Sequence, residues 1–132
     1  DTISMLKREG FSMSVISNAD GRAERHLDEA GVRTYLEQVF DSHVVGFEKP
    51  DVRLFRHALD ELQLDPEDCV YVGDFFQVDV LGANGAGMAA VHLDPEGLYG
   101  GWPGCHIQTV NELPALLRSG ICLADALYHP FA

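Results

Sequence analysis

Positive charge is scarce in this chain: nine Lys and Arg stand against 21 Asp and Glu over 132 residues, a formal net charge of −12. A surface of that sign repels nucleic-acid phosphates and anionic lipid, so neither is expected as a partner. A small phosphorylated molecule stays open, because backbone amides and a single Lys can hold a phosphate on an acidic protein. Cysteine is sparse too. Cys69, Cys105 and Cys122 are odd in number, widely spaced and without a CxxC pair. They predict reduced, mostly buried thiols rather than a disulfide framework or a zinc site. The six His are scattered and read as surface or packing residues. No apolar run approaches the roughly 20 residues of a membrane span, and no basic-then-apolar signal opens the chain, so a cytoplasmic protein is expected.

What is present suffices for one domain. A chain of this length with 46% hydrophobic residues can bury a real core. Strands and helices are expected to alternate. A helix over residues 2–9, with Ile3, Met5 and Leu6 inward, is stopped by Gly10. A strand at 11–16 leads into the polar turn Ser17-Asn18-Ala19-Asp20. A helix over 21–30 carries Ala23, Leu27 and Ala30 at helical spacing. Residues 39–45 form a second strand candidate, weakened by Asp41, Ser42 and His43. Pro50 opens a helix with Leu54, Phe55, Ala58, Leu59 and Leu62 as its apolar stripe. A strand at 69–72, a helix at 78–86 and a strand at 88–93 follow. Residues 94–104, rich in Gly and Pro, read as a loop or flap. Ile107 suits a short edge strand, and Asn111 caps a last helix over Leu113, Leu116 and Leu117. Such βαβα alternation implies a mostly parallel sheet with helices on both faces. Residues 11–16, 69–72 and 88–93 should be parallel neighbours in one sheet, with Ser17 and Asp74 at the same edge.

The most informative stretch is residues 70–79, VYVGDFFQVD. Its β-branched and aromatic start has the character of a buried strand, and Gly73 permits a sharp turn at its end. Asp74 is then presented at the carboxyl edge of the sheet, where open α/β folds bind ligands and where a carboxylate suits a hard cation such as magnesium. For an isolated Gly-Asp pair the favoured reading is an Asp that caps the helix starting near Val78.

Three segments in order, VISNAD, EKPD and VGDFFQVDVLGANGAGM, resemble the second, third and fourth motifs of the haloacid dehalogenase (HAD) superfamily. The match covers roughly residues 2–117, and its flanking text resembles the phosphatase-like branch. The resemblance implies a Rossmann-like core that hydrolyses a small phosphate ester with magnesium, through an aspartyl-phosphate. Ser17 and Asn18 would then bind the phosphate, Ser17 by its hydroxyl and nearby amides, although either residue would also cap the helix that follows. Lys49 would bind the phosphate and offset charge on it and on the attacking carboxylate. Asp74 would hold Mg2+. Asp79 would be a second metal-site carboxylate, direct or through water, or else a charge favoured at a helix N-terminus. Phe75 departs from the small hydroxyl residue usual in the family.

The family's nucleophile is the first Asp of an N-terminal DxD motif, and nothing before Ser17 has that form. Residues 1–118 are therefore expected to be a partial core, the carboxyl-terminal part of a longer enzyme lacking its first strand and cap, with 119–132 as a tail. On this reading the chain alone is inactive. The alternative is a catalytically inactive HAD-like binding or interaction module. A dehalogenase of the same superfamily would need no magnesium, and the pair Asp74 and Asp79 favours the phosphatase. A response-regulator receiver would need an acidic pair and a phosphoacceptor Asp near the beginning of its first strands, and neither is seen. No pattern assigns a particular substrate or an oligomeric state.

Overall fold

In the computed structural model, which describes residues 1–120, short helices and parallel strands alternate as expected. Helix α1 (Thr2–Arg8) starts where the sequence supplies a reciprocal cap: the Asp1 carboxylate accepts from the Ser4 amide at 2.9 Å, and the Ser4 hydroxyl donates back to the Asp1 carbonyl. Leu6 is buried beneath it, whereas Met5, expected inward, is 40% exposed. Strand β1 (Val15–Ser17) is shorter than the expected 11–16 segment and leads to α2 (Ala23–Glu29). Strand β2 (Val39–Asp41) lies parallel to β1, with Val15 opposite Val39 and Ser17 opposite Asp41.

The strand expected over 39–45 ends at Asp41 because that carboxylate turns onto the following backbone. It accepts from the His43 amide at 2.9 Å and so caps α3 (Ser42–Val45). The residues that weaken the strand pattern are those that start the helix. Helix α4 (Val52–Leu62) is capped by Asp51, so Pro50 precedes it rather than opening its first turn. Leu54, Phe55, Ala58 and Leu59 form its buried stripe. Strands β3 (Val70–Gly73), β4 (Ala89–Leu93) and β5 (Cys105–Ile107) complete the parallel set, with α5 (Leu81–Gly85) between β3 and β4 and α6 (Leu113–Ser119) last. Thr109, not Asn111, caps the turn before α6, and the Asn111 side chain accepts from the Thr2 hydroxyl instead. Residues 94–104 form no helix or strand, as the Gly and Pro content predicts.

The strands fall into two parallel sheets, β1-β2 and β3-β4-β5. The expected adjacency of β3 and β4 is found, but β1 and β3 are not paired backbone to backbone, which corrects the expectation of one continuous sheet. Backbone direction explains how the two sheets meet. The Glu37 amide donates to the Met13 carbonyl at 2.7 Å and the Val15 amide to the Gln38 carbonyl at 3.1 Å, so alternate residues of β1 face β2. Ile16, between them in phase, turns its carbonyl to the opposite edge. There the Tyr71 hydroxyl of β3 donates to it at 3.1 Å. One side chain thus makes a contact that a neighbouring strand's amide would make.

One face of β3 and β4 packs Phe55, Leu59, Phe76, Val80 and Ala83 against Ala90, and the other packs Val91, Cys105 and Ile107 under Leu113. Helices therefore cover both faces, and the fold is the expected α/β, Rossmann-like one. Cys69 is a free, half-buried thiol whose pKa burial pushes up. Cys105 is disulfide-bonded, which corrects the expectation of three reduced thiols, since spacing along the chain carries no information about distance in space. Cys122 and nearly all of the expected tail 119–132 lie outside the described residues. No helix among the described residues is long and apolar enough to cross a membrane.

Candidate active site

Lys49 joins the ends of the two sheets. Its backbone is clamped by the side chain just after β1: the Lys49 amide donates to Asn18 Oδ1 at 2.8 Å, and Asn18 Nδ2 donates to the Lys49 carbonyl at 3.1 Å. Its side chain runs to the other sheet, where Nζ lies 2.8 Å from Asp79 Oδ1 and 3.0 Å from the Tyr71 hydroxyl. Ser17, Asn18, Lys49 and Asp79 are thereby connected at the carboxyl ends of β1 and β3, the edge at which the sequence places the site. Asn18 bonds to Lys49 with both polar atoms of its side chain, so its part in the geometry is to hold Lys49 rather than to reach outward.

The Lys49–Asp79 pair is buried, with side chains 11% and 5% exposed. Burial works against the Lys49 charge, but the hydrogen bond to Asp79, helped by Tyr71, outweighs it and holds the ammonium above the ordinary lysine value. The stability this contributes is fully present below the ordinary lysine pKa and is lost only as pH rises through the higher folded value. Burial likewise pushes the Tyr71 phenol up, against the pull of Lys49. The single phenolic proton goes to the Ile16 carbonyl, and Asp79 Oδ1, at 3.5 Å, is a weak competitor for it.

Asp79 has no oxygen to spare. Oδ1 faces Lys49, and Oδ2 accepts from the Phe75 amide at 3.0 Å. To reach these partners the chain after β3 makes a wide, π-type turn over Phe76–Val80 before α5 begins, where the sequence predicts a regular helix over 78–86. Gly73 is required here for space, since a Cβ on it would run into the Asp79 carboxylate. Gly73→Ala should therefore displace Asp79 and destabilise the chain by about 1–3 kcal/mol, the usual cost of overpacking, as read from chemical denaturation.

Asp74, one residue beyond β3, is exposed, and its carboxylate has no hydrogen-bond partner among the described residues. The Ser17 hydroxyl is free in the same sense. Sequence reasoning brought Ser17, Asn18, Lys49 and Asp74 to one edge. It missed Tyr71, which reads as strand packing, and Asp41 and Ser42. Buried Asp41 accepts from the Gly21 and Ala23 amides at 2.9 and 3.0 Å, and Ser42 Oγ from the Ala19 amide at 3.0 Å, so together they shape the turn after Ser17. An open cleft of about 540 Å³ flanks that turn, lined by Ser17, Asn18, Ala23 and Leu27 among others.

Hard-cation chemistry can be judged from these donors. Among the described residues no three His, Cys, Asp or Glu side chains converge as a metal site. Magnesium, however, is commonly held by one or two carboxylates, waters and a substrate phosphate. An exposed carboxylate without a hydrogen-bond partner among the described residues fits that pattern, and Asp74 is the residue that would hold the ion.

Ser17-Asn18, Lys49 and Gly73-Asp74 thus stand at strand ends of the two sheets of a Rossmann-like α/β fold. Residues 1–87 match the family model described as haloacid dehalogenase-like hydrolase, and the chain belongs to that family. It is 38% identical over 96 residues to the glyceraldehyde 3-phosphate phosphatase of Methanothermobacter thermautotrophicus, covering 72% of this chain and 42% of the relative. It is 39% identical over 89 residues to the phosphoserine phosphatase of Thermus thermophilus, covering 67% of this chain and 36% of the relative. A crystal structure of a HAD phosphatase from Thermococcus onnurineus superposes with a TM-score of 0.82 at 27% identity, covering 88% of this chain and 54% of that one. The chain thus spans less than half the length of these two curated relatives.

Proposed function

We propose that this chain is the larger part of the catalytic core of a magnesium-dependent phosphatase for a small phosphate ester, and that the carboxylate forming the aspartyl-phosphate is supplied from outside it. The observation that carries this reading is the Lys49 bridge, which ties Asn18, one residue after Ser17, to Asp79 and to Tyr71 of the other sheet, at strand ends where Ser17 and Asp74 have no side-chain partner among the described residues. Ser17 and the amides after it would hold the phosphate oxygens. Lys49 would offset the charge that builds up between phosphate and nucleophile, with Asp79 keeping it charged and aimed. Asp74 would hold magnesium, which when bound polarises the phosphoryl group. Asp79, assigned from sequence as a second metal-site carboxylate, acts on this geometry through Lys49.

Two observations support a nucleophile supplied from outside the chain. Asp79 and Asp41 are the buried carboxylates nearest the site, and both are consumed by the bonds above. The edge of β1 that carries the Ile16 carbonyl is also unpaired with β3, leaving a place for a further parallel strand between the sheets. The phosphatase names of the relatives support a phosphorylated small molecule as substrate. The reading is tested by metal removal: hydrolysis of a panel of small phosphate esters by the complete protein should disappear with a chelator and return with magnesium. Full activity in the chelator's presence would overturn it.

A further inference from the structure

The register of the second sheet sets Gly73, His92 and His106 side by side across β3, β4 and β5. The two imidazoles meet at 2.9 Å between their Nδ1 atoms. The outer nitrogens both point at backbone carbonyls: His92 Nε2 lies 3.2 Å from the Asp74 carbonyl, and His106 Nε2 lies 3.0 Å from the Trp102 carbonyl. His92 is 1% exposed. A continuous chain of contacts therefore runs from the peptide of Asp74, through two rings, to the segment 94–104. Carbonyls accept only, so the ring nitrogens that face them donate, and Asp94 closes the cluster on the side of the loop. Asp94 is 5% exposed and opens the segment by accepting from the Leu98 and Tyr99 amides at 3.1 and 2.8 Å. Phe76, Tyr99 and Trp102 close round the rings, with Phe76 edge-on to Trp102 at 5.0 Å and Tyr99 edge-on to His92 at 4.8 Å.

Buried His92 has both ring nitrogens engaged, as burial requires, and what sets this pair apart is where its contacts end: on the peptide of Asp74 at one side and on the segment 94–104 at the other. We infer that His92 and His106 form a positioning relay: His92 fixes the Asp74 peptide, and through His106 ties that peptide to residues 94–104, so that what binds at Asp74 is felt at Trp102. The inference rests on the reading of Asp74 as the magnesium-holding residue, and it deepens it by assigning the loop a part in the site.

The single Trp makes the relay measurable in the 132-residue chain itself. In isotope-labelled protein, adding Mg2+ should shift the amides of residues 73–75 and the indole N–H of Trp102 together. In His106→Phe, which keeps a ring and loses both nitrogens, residues 73–75 should still respond while the indole no longer does. His92→Phe should weaken magnesium binding about tenfold, the size usual for loss of an outer-shell partner. His92→Gln retains a donor for the Asp74 carbonyl and should stay close to wild type in affinity, yet it should lose the Trp102 response. Amides of residues 39–41, in the other sheet, report that each variant is folded. An indole that responds equally in His106→Phe would overturn the relay. So would an Asp74 carbonyl carbon shift, measured without metal, that is the same in wild type and His92→Phe. Residues 73–75 that ignore magnesium in the wild type would instead remove the metal reading, and the metal-free comparison would still decide the relay.

Discussion

Incubated with magnesium and a small phosphate ester, the 132-residue chain should show no turnover above background. On this reading Ser17 and Lys49 hold the phosphate, Asp74 holds the metal, and the buried carboxylates Asp41 and Asp79 are engaged by Lys49 and backbone amides, which leaves the attacking carboxylate to come from outside the chain. Adding a segment that supplies an apolar strand ending in an Asp, in cis or co-expressed, should restore hydrolysis. Such a strand has a defined place to go. β1 is parallel to β2 and β3 to β4, and the Ile16 carbonyl, capped by the Tyr71 hydroxyl of β3, lies on the edge of β1 away from β2. Nucleophilic and general-acid contributions are each large, so the gain on adding them should be several orders of magnitude. Robust metal-dependent hydrolysis by the chain alone, abolished by changing one of its own carboxylates, would show that the nucleophile had been misplaced.

In the complete protein, Asp74→Asn and Lys49→Ala should each reduce kcat by orders of magnitude, for different reasons. Asn replaces a charged oxygen with a neutral amide at a hard cation, so magnesium affinity should fall with turnover while stability stays close to wild type. Lys49→Ala removes the charge that faces the reaction and also strands Asp79, 5% exposed, without its counter-ion. Breaking a buried pair from one side costs about 3–5 kcal/mol, so this variant should be both inactive and markedly less stable. The two losses should separate in Lys49→Ala with Asp79→Asn, which removes the stranded charge. That double variant should recover much of the stability and none of the turnover. Steady-state kinetics and denaturation on the same samples read both, and wild-type kcat in either single variant would remove that residue from the site.

Local chemistry made much of this legible before any coordinates. The stripe Leu54, Phe55, Ala58 and Leu59 has one helical phase and is buried as that phase requires. The strand-Gly-Asp step after Val72 put Asp74 at the right edge because a parallel strand can only deliver its next residue there. What stayed hidden depends on pairing at a distance. The division into two sheets follows from which strand edges meet, and the pattern of β1 is the same whether its outer edge faces a strand or a Tyr hydroxyl. Asp79 stands five residues from Asp74 and so reads as its companion, but the wide turn over Phe76–Val80 carries it inward to Lys49. His92 and His106 are 14 residues apart and carry no shared motif, and only the parallel register of β4 and β5 makes them neighbours.

The most direct test of the central claim is to find which carboxylate takes the phosphoryl group. The complete protein, quenched during turnover and treated with borohydride to reduce the acyl phosphate, can be mapped by mass spectrometry. The label should fall on an Asp outside residues 1–132, with Asp41, Asp74 and Asp79 unmodified; label on any of those three would contradict the account.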